Sequence, residues 1–501
     1  MREQTSLQVQ TFEARCLSNT GHALARLAVS GPAWKSLWVE LEGVALARVR
    51  DFNPQEIFNT TWAFATAGHA APALFDALAV EAALRVRAFN PQGLSNTAWS
   101  FATAGHDVPA LFDALEVEAA SRVHHCSPQN ISNTVWAFAT AGHDAPALFD
   151  ALAVEAASHV RDFNPQDISN AAWAFATAGH AAPALFDAIA VEAALRVRHF
   201  TPQNVANTAW AFATTGCAAP ALFDAMVAEA KRRVRDFDPQ GLANTAWSFA
   251  TAGHAAPALF DAIAAEAAQR VHQFSPQNIS NTNTAWAFAT AGHVAPALFD
   301  AIAAEAAWRV SVFTPRNLAN TASAFATAGR AALALFDAIA AEAARHVRDF
   351  NPQDLANTAW TFAVADALPF ESSLFDQRFA RRCEALAHEF STEDLCQLHQ
   401  WQLWYAGERG CPDALPEAAL LARCAAAFRD VDPTISRLQS QVAETVASFG
   451  MSVQEEVVIA EGYSLDIVVD CGGRRRIAIE VDGPSHFVGR DPTGSTLLKR
   501  R

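Results

Sequence analysis

The chain is 501 residues long and 51% apolar, with a net charge of −16 and eight cysteines scattered without a Cys-x-x-Cys pair. No run approaches the ~20 apolar residues that span a bilayer, and the cysteine spacing suggests neither a zinc site nor a disulfide scaffold, so a reducing interior is expected. Residues 453–501 hold eight acidic and seven basic residues, which leaves −15 on the rest and weighs against tight non-specific binding of a polyanion, a process that depends on neutralising phosphates.

The N-terminus, Met1 to Arg15, lacks the long apolar core of a secretory signal, and Glu3 and Glu13 interrupt any organelle transit peptide. Leu17 to Thr20 and Leu41 to Phe52 read as an eroded copy of the unit that starts at Pro54, so residues 1–53 are expected to form a helical cap. From Pro54 the sequence repeats itself. Pro91, Pro128, Pro165, Pro202, Pro239 and Pro276 each come 37 residues after the last, Pro315 after 39 and Pro352 after 37 more. Nine copies fill 54–389, and a period in this range marks a stacked-repeat architecture.

Each proline comes after a residue able to cap a helix: Asn53, Asn90, Ser127, Asn164, Thr201, Asp238, Ser275, Thr314 or Asn351. Proline fits the first helical position, which needs no N–H, and Glu56, Asp167 and Asp354 place a carboxylate where the helix dipole favours it. This helix, A, ends at Gly68, Gly105, Gly142 and their equivalents. Pro72, Pro109 and Pro146 then open helix B, which carries Leu74, Phe75, Leu78 and Val86. The expected fold is mainly α, a solenoid of helical hairpins that bury their apolar faces by stacking.

On a helical wheel, Ile57, Thr61, Phe64, Ala65 and Gly68 face inward. Gln55, Asn59, Ala63 and Thr66 face outward, with Glu56 beside them and Trp62 at the boundary. The outward row is nearly constant: Asn59, Asn96, Asn133, Asn170, Asn207, Asn244, Asn281, Asn320 and Asn357. The third helical position changes along the array and includes Asn130 and Asn204. A constant row beside a varying one suits a modular reader of a linear polymer, and recent repeat duplication produces the same pattern by chance. The alternative for the Asn row is a hydrogen-bond ladder between neighbouring helices.

Three further rows have structural readings. Trp62, Trp99, Trp136, Trp173, Trp210, Trp247, Trp286 and Trp360 are expected to pack between repeats, with stacking on bases as the alternative. Arg85, Arg122, Arg196, Arg233, Arg270 and Arg309 each come four residues after a Glu, as Arg85 does after Glu81. That spacing predicts a solvated salt-bridge face rather than phosphate contacts. His69, His106, His143, His180, His254 and His293 lie just past helix ends, where they are expected to meet terminal carbonyls.

Later repeats depart from the pattern. The seventh duplicates Asn-Thr (Asn281 to Thr284), which must delay or bulge its helix A. The eighth has Ser323 in place of Trp, and the ninth has Asp366 in place of Gly. Residues 390–433, with Trp401 and Trp404, are expected to form a second cap. Residues 434–501 read as a separate α/β module: a helix over Ile435 to Phe449, then short strands at 457–459, 465–469 and 477–481.

In this module Asp466 and Glu480 end adjacent strands, where two carboxylates can share a divalent cation such as Mg²⁺ or Mn²⁺. Asp482 and His486 lie nearby, His486 as a candidate base, and Arg474, Arg475 and Arg476 sit on the preceding turn to meet a phosphate. The stretch Ser464-Leu465-Asp466-Ile467 through Ile477 to Phe487, with Thr496 to Arg500, closely resembles the RAP domain. That family continues with another strand and helix, so the module is expected to be cut short. RAP modules are similar to restriction endonucleases, whose pattern is Asp followed by Glu-x-Lys. Here Asp482 takes the Lys position, which favours a binding or structural role over catalysis. The repeats resemble octotricopeptide and FAST-kinase-type helical repeats. Together the resemblances imply binding of single-stranded RNA in a chloroplast or mitochondrion, alongside other RNA-processing proteins, to govern processing, stability or translation. No small-molecule substrate is indicated. The alternatives are a protein-binding scaffold and a metal-dependent RNA endonuclease.

Overall fold

The computed structural model describes residues 9–280, 284–330, 332–367, 374–411, 414–430, 435–471, 476–482, 487–488, 491–492, 496 and 498–499. Helix A begins at the expected proline in every repeat, as in Pro54–Thr66, Pro91–Ala104 and Pro202–Thr215. Helix B begins at the second proline from Pro72–Leu84 through Pro296–Arg309, and at Leu333 in Leu333–His346. A single 3₁₀ turn, such as Val86–Ala88, links helix B to the next helix A.

The caps explain why these helices start where they do. All nine residues before the first proline accept a hydrogen bond from the backbone N–H three positions on. Each such cap stabilises its helix by about 1 kcal/mol. Gly105, Gly142 and Gly216 end helix A in the left-handed region, with φ of 61°, 65° and 66°. Asp366 takes the same conformation with φ 53°, and is tied there by the Trp404 indole N–H, which donates to its carboxylate at 2.8 Å, and by Arg409.

The chain divides into two compact units, Met1–Arg232 and Arg233–Arg501. Within the first, helices Ala14–Arg26 and Lys35–Ala47 precede repeats one to five. Here the helix B phenylalanine of one repeat meets the helix A phenylalanine of the next edge-on. Phe112 and Phe138 lie 5.0 Å apart, Phe149 and Phe175 5.1 Å, and Phe186 and Phe212 5.0 Å, the geometry that the ring quadrupoles favour. An arginine staple adds to this. Arg85 pairs with Glu81 as the spacing predicts, and its guanidinium also donates to the Phe52 carbonyl at 2.9 Å. Arg122 does the same to Phe89 at 2.6 Å and Arg196 to Phe163 at 2.8 Å. These arginines are half-buried between repeats rather than solvated.

The inward and outward assignment of helix A needs correction. Thr61 and Phe64 are buried as expected, at 0% and 2% exposure, but so are Ala63 at 0% and Glu56 at 8%. Inside each unit, helix A is flanked by the helices A of its neighbours and is backed by its own helix B. Stacking therefore buries three sides of the helix, and only a narrow stripe stays accessible. Gly68 lies in the exposed turn, not in the core. The histidines past helix A also differ from expectation. Their backbone N–H groups cap the helix, as His143 does on Phe138 and His180 on Phe175. Their rings instead reach carboxylates of the preceding hairpin: His69 to Glu42 at 3.0 Å, His106 to Asp76 at 2.8 Å, and His180 to Asp150 at 2.9 Å.

In the second unit, repeats six to nine keep the same plan. Helix A of repeat seven is described over Pro276–Ser280 and Thr284–Thr290. Asn281 to Asn283 lie outside the described residues. Register is recovered by Phe288, which meets Phe260 at 5.1 Å. After the ninth repeat come Gln377–Ala385, Thr392–Gln402 with a π-helical turn over Leu403–Glu408, and Ala418–Arg429. Trp401 and Trp404 are buried in this segment.

The C-terminal module begins with helix Arg437–Ser448. It packs on an antiparallel sheet, β1 (Ser452–Val458), β2 (Ser464–Asp470) and β3 (Arg476–Ile479), in the order β1-β2-β3. Ala443, Ile467 and Val469 form its core, with Val442, Val446, Val453 and Ile479 packed around them. β1 starts earlier than the sequence suggests and keeps one register with β2 throughout, from Ser452 opposite Asp470 to Val458 opposite Ser464. Glu456, with φ 53°, is itself unpaired in the ladder between Glu455 opposite Ile467 and Val457 opposite Leu465.

Candidate functional site

The accessible stripe of helix A is built from three positions per repeat. The second residue is exposed glutamine, as in Gln55, Gln129 and Gln166, and the sixth and ninth are half-buried asparagine and tryptophan. In the first unit Asn59, Asn96, Asn133 and Asn170, with Gln129, Gln166, Trp62, Trp99, Phe58 and His22, line one groove of about 330 Å³. Among the described residues, the side-chain amides of Asn59, Asn96, Asn133, Asn170 and Asn207 make no hydrogen bond within the protein. Their donors and acceptors are open to a ligand.

A hydrogen-bond ladder between helices does exist, on different residues. Asn130 donates to the Ser95 hydroxyl at 3.3 Å, Ser132 donates to the Asp167 carboxylate at 2.9 Å, and Asn204 donates to Ser169 at 2.8 Å. Asn130 and Asn204 are each 8% exposed and also accept the cap of their own helix start, so they do not face the groove. The varying third position is a structural column. Burial lifts the Asp167 carboxyl above its usual range, against the pull of the Ser132 hydroxyl and the Asn164 backbone.

The tryptophans form a second ladder along the groove. Trp99 and Trp136 lie 5.9 Å apart, Trp136 and Trp173 6.4 Å, and Trp173 and Trp210 6.4 Å, each pair tilted by 33°. They pack between repeats, as expected, and still leave part of each indole accessible. His22 covers Trp62 at 4.6 Å. Burial, with the Arg26 charge adding to it, lowers the His22 pKa, so the ring is neutral at pH 7. The groove lining is thus uncharged: amides to recognise polar edges, and indoles for flat rings. Sequence places Gln55 on the outward face but does not single out the glutamine row, His22 or Phe58 as site residues. Glutamine recurs at the second position of eight repeats, a signal open to view in the chain; His22 and Phe58 carry no repeat signal.

Asn244, Asn320 and Asn357 hold the same half-buried position in the second unit, while Asn281 lies outside the described residues. A second cleft in the first unit, about 420 Å³, lies at the turn between helices A and B. The His143 and His180 rings that line it already pair with Asp113 at 3.3 Å and Asp150 at 2.9 Å. The arginine row is likewise consumed by carbonyls and glutamates.

In the C-terminal module, Asp466 and Glu480 are joined by Lys499, whose ammonium lies 3.0 Å from one carboxylate and 2.5 Å from the other. Motif spacing does not reveal Lys499, because it lies 19 residues beyond Glu480. A divalent cation would have to displace this ammonium. Among the described residues no group of three or more His, Cys, Asp or Glu side chains converges as a metal cluster. Arg476 is exposed on β3 opposite Asp470, and Asp482 is half-buried. Arg474, Arg475 and His486 lie outside the described residues. No helix among the described residues is long and apolar enough to cross a membrane.

Comparison with protein families adds to this geometry. Residues 101–251 and 238–398 match the family described as RNA-editing substrate-binding complex 6 protein. The chain belongs to this family. The two matched stretches overlap and run from the second repeat into helix Thr392–Gln402, so the family covers hairpins of both units. Residues 48–60 also match a family described as a protein of unknown function. No curated protein matches the chain.

Proposed function

We propose that this protein binds single-stranded RNA along the accessible stripe of its helices A, and acts in post-transcriptional control of organellar transcripts. The observation that carries this reading is the groove lined by unpaired amides, one asparagine per repeat, beside a tryptophan ladder. Asparagine and glutamine present both donors and acceptors, as base edges require, and unstacked bases are recognised on aromatic faces. The family's description, an RNA-editing substrate-binding complex protein, supports the same ligand and favours work within a multiprotein assembly. The resemblance of the C-terminal module to RAP domains supports a chloroplast or mitochondrial setting. With Lys499 between Asp466 and Glu480, that module serves positioning rather than cleavage. Crosslinking the protein in cells and sequencing the attached RNA tests the proposal. Enrichment of organellar transcripts is expected, and recovery of no RNA above background would reject it.

A protein-binding scaffold is the second reading, and one surface favours it. Val80, Val117, Val154 and Val191 repeat at one position of helix B and are 60%, 72%, 73% and 65% exposed. Such a row suits a partner protein, and a partner captured through it without RNA in the groove would support this reading.

A further inference from the structure

The eighth repeat breaks both rows of the accessible stripe at once. Arg316 stands where the other repeats have glutamine, and Ser323 stands where they have tryptophan. The surrounding geometry is otherwise kept. The phenylalanine two residues on is Phe288 in repeat seven, Phe325 in repeat eight and Phe362 in repeat nine. These meet Phe260, Phe299 and Phe336 edge-on at 5.1, 5.3 and 5.4 Å. Trp286, Ser323 and Trp360 therefore occupy equivalent places on successive helices A, and all three are half-buried.

In the first unit Trp99, Trp136, Trp173 and Trp210 succeed one another at 5.9–6.4 Å and are tilted, which leaves no room for a ring between them. Successive stacked bases rise by about 3.4 Å, so a ring held between two others needs about twice that separation, more than this ladder allows. At Ser323 the indole is absent, and a hydroxymethyl group stands on the helix A between those that carry Trp286 and Trp360. The Ser323 hydroxyl makes no hydrogen bond among the described residues. Asn320 lies one turn before it, and exposed Arg316 one turn before that. Burial raises the Asp354 carboxyl of repeat nine, and the Arg316 charge pulls against it.

We infer that the eighth repeat is an insertion site for one nucleobase of the bound strand, which takes the place of the missing indole between Trp286 and Trp360 while Arg316 meets its phosphate or carbonyl edge. This rests on the RNA reading above. It predicts that the strand is gripped here by intercalation, whereas over the intact ladder it is held against indole edges and amides.

The test uses the full chain and a fluorescein-labelled, randomised single-stranded RNA pool. Ser323→Trp restores the rung and is expected to weaken binding about tenfold, the worth of one base–aromatic stack. Ser323→Ala leaves the indole absent and is expected to bind as wild type does. Arg316→Gln is expected to lower the slope of log affinity against log salt by about one. Equal or tighter binding by Ser323→Trp overturns the insertion site alone, because a continuous ladder would then serve as well. Failure of the wild type to bind RNA overturns the RNA reading and the insertion site with it. Should Ser323→Trp melt early, photocrosslinking of 4-thiouridine RNA to the wild type decides. Adducts at Trp286, Ser323 or Trp360 are expected, and adducts confined to the first unit would contradict the site.

Discussion

Asn130 and Asn133 lie one turn apart on the same helix and do different work. Asn130 is buried, caps its own helix start and bridges to Ser95, whereas Asn133 keeps its amide free in the groove. Asn204 repeats the arrangement of Asn130, with Ser169 as its partner. Replacing Asn204 by alanine removes its half of the capping box with Thr201 and its bond to the buried Ser169 hydroxyl, which keeps its own bond to the Gln166 carbonyl, so it is expected to cost about 1–2 kcal/mol in denaturant unfolding. Its affinity for RNA should be unchanged. A variant as stable as wild type but altered in RNA preference would return the third position to the groove. The wheel could not separate these residues. It assumes one buried side, and the burial of Ala63 and Glu56 comes from neighbouring helices A that periodicity within a single repeat does not reveal. Both asparagine rows were legible as rows; which of them is accessible was a matter of stacking.

At the scale of elements, the hairpins could be read from the sequence almost completely, since proline, cap residue and glycine each act locally. What lay beyond reach were links between repeats. The Glu–Arg pair was visible at a spacing of four, but the Phe163 carbonyl that Arg196 also holds is 33 residues back. Arg196→Ala is expected to destabilise the array by about 1–3 kcal/mol, because it leaves a buried carbonyl and Glu192 without their donor. Arg196→Lys should recover little of this, since an ammonium lacks the planar fork that serves two acceptors. Full recovery by lysine would reduce the staple to a simple charge pair. In the C-terminal module the strands were legible and the Lys499 contact was not. Burial raises the Glu480 pKa, with the Lys499 ammonium pulling against it. A carboxyl raised on folding stabilises most below its unfolded pKa and loses that contribution as pH rises through the folded value. Lys499→Met removes the opposing cation, so its melting temperature should fall more steeply from pH 5 to pH 8 than that of wild type. Parallel profiles would show that Lys499 is not the counter-ion of this pair.

For the whole molecule, a net charge of −16 and RNA binding are reconciled by where recognition occurs. The groove of the first unit is lined by amides and rings with a neutral His22, so affinity there comes from bases rather than phosphates. Salt dependence should accordingly be shallow, unlike that of proteins that neutralise many phosphates. The most direct measurement is the affinity of the full chain for a single-stranded RNA pool, compared with Asn96→Ala/Asn133→Ala/Asn170→Ala. These side chains are half-exposed and make no hydrogen bond within the protein, so the variant should melt with wild type. It is expected to bind RNA at least about tenfold more weakly, three lost hydrogen-bonding amides being worth more than one such step. A variant that melts normally and binds RNA as tightly as wild type would refute recognition through the asparagine row.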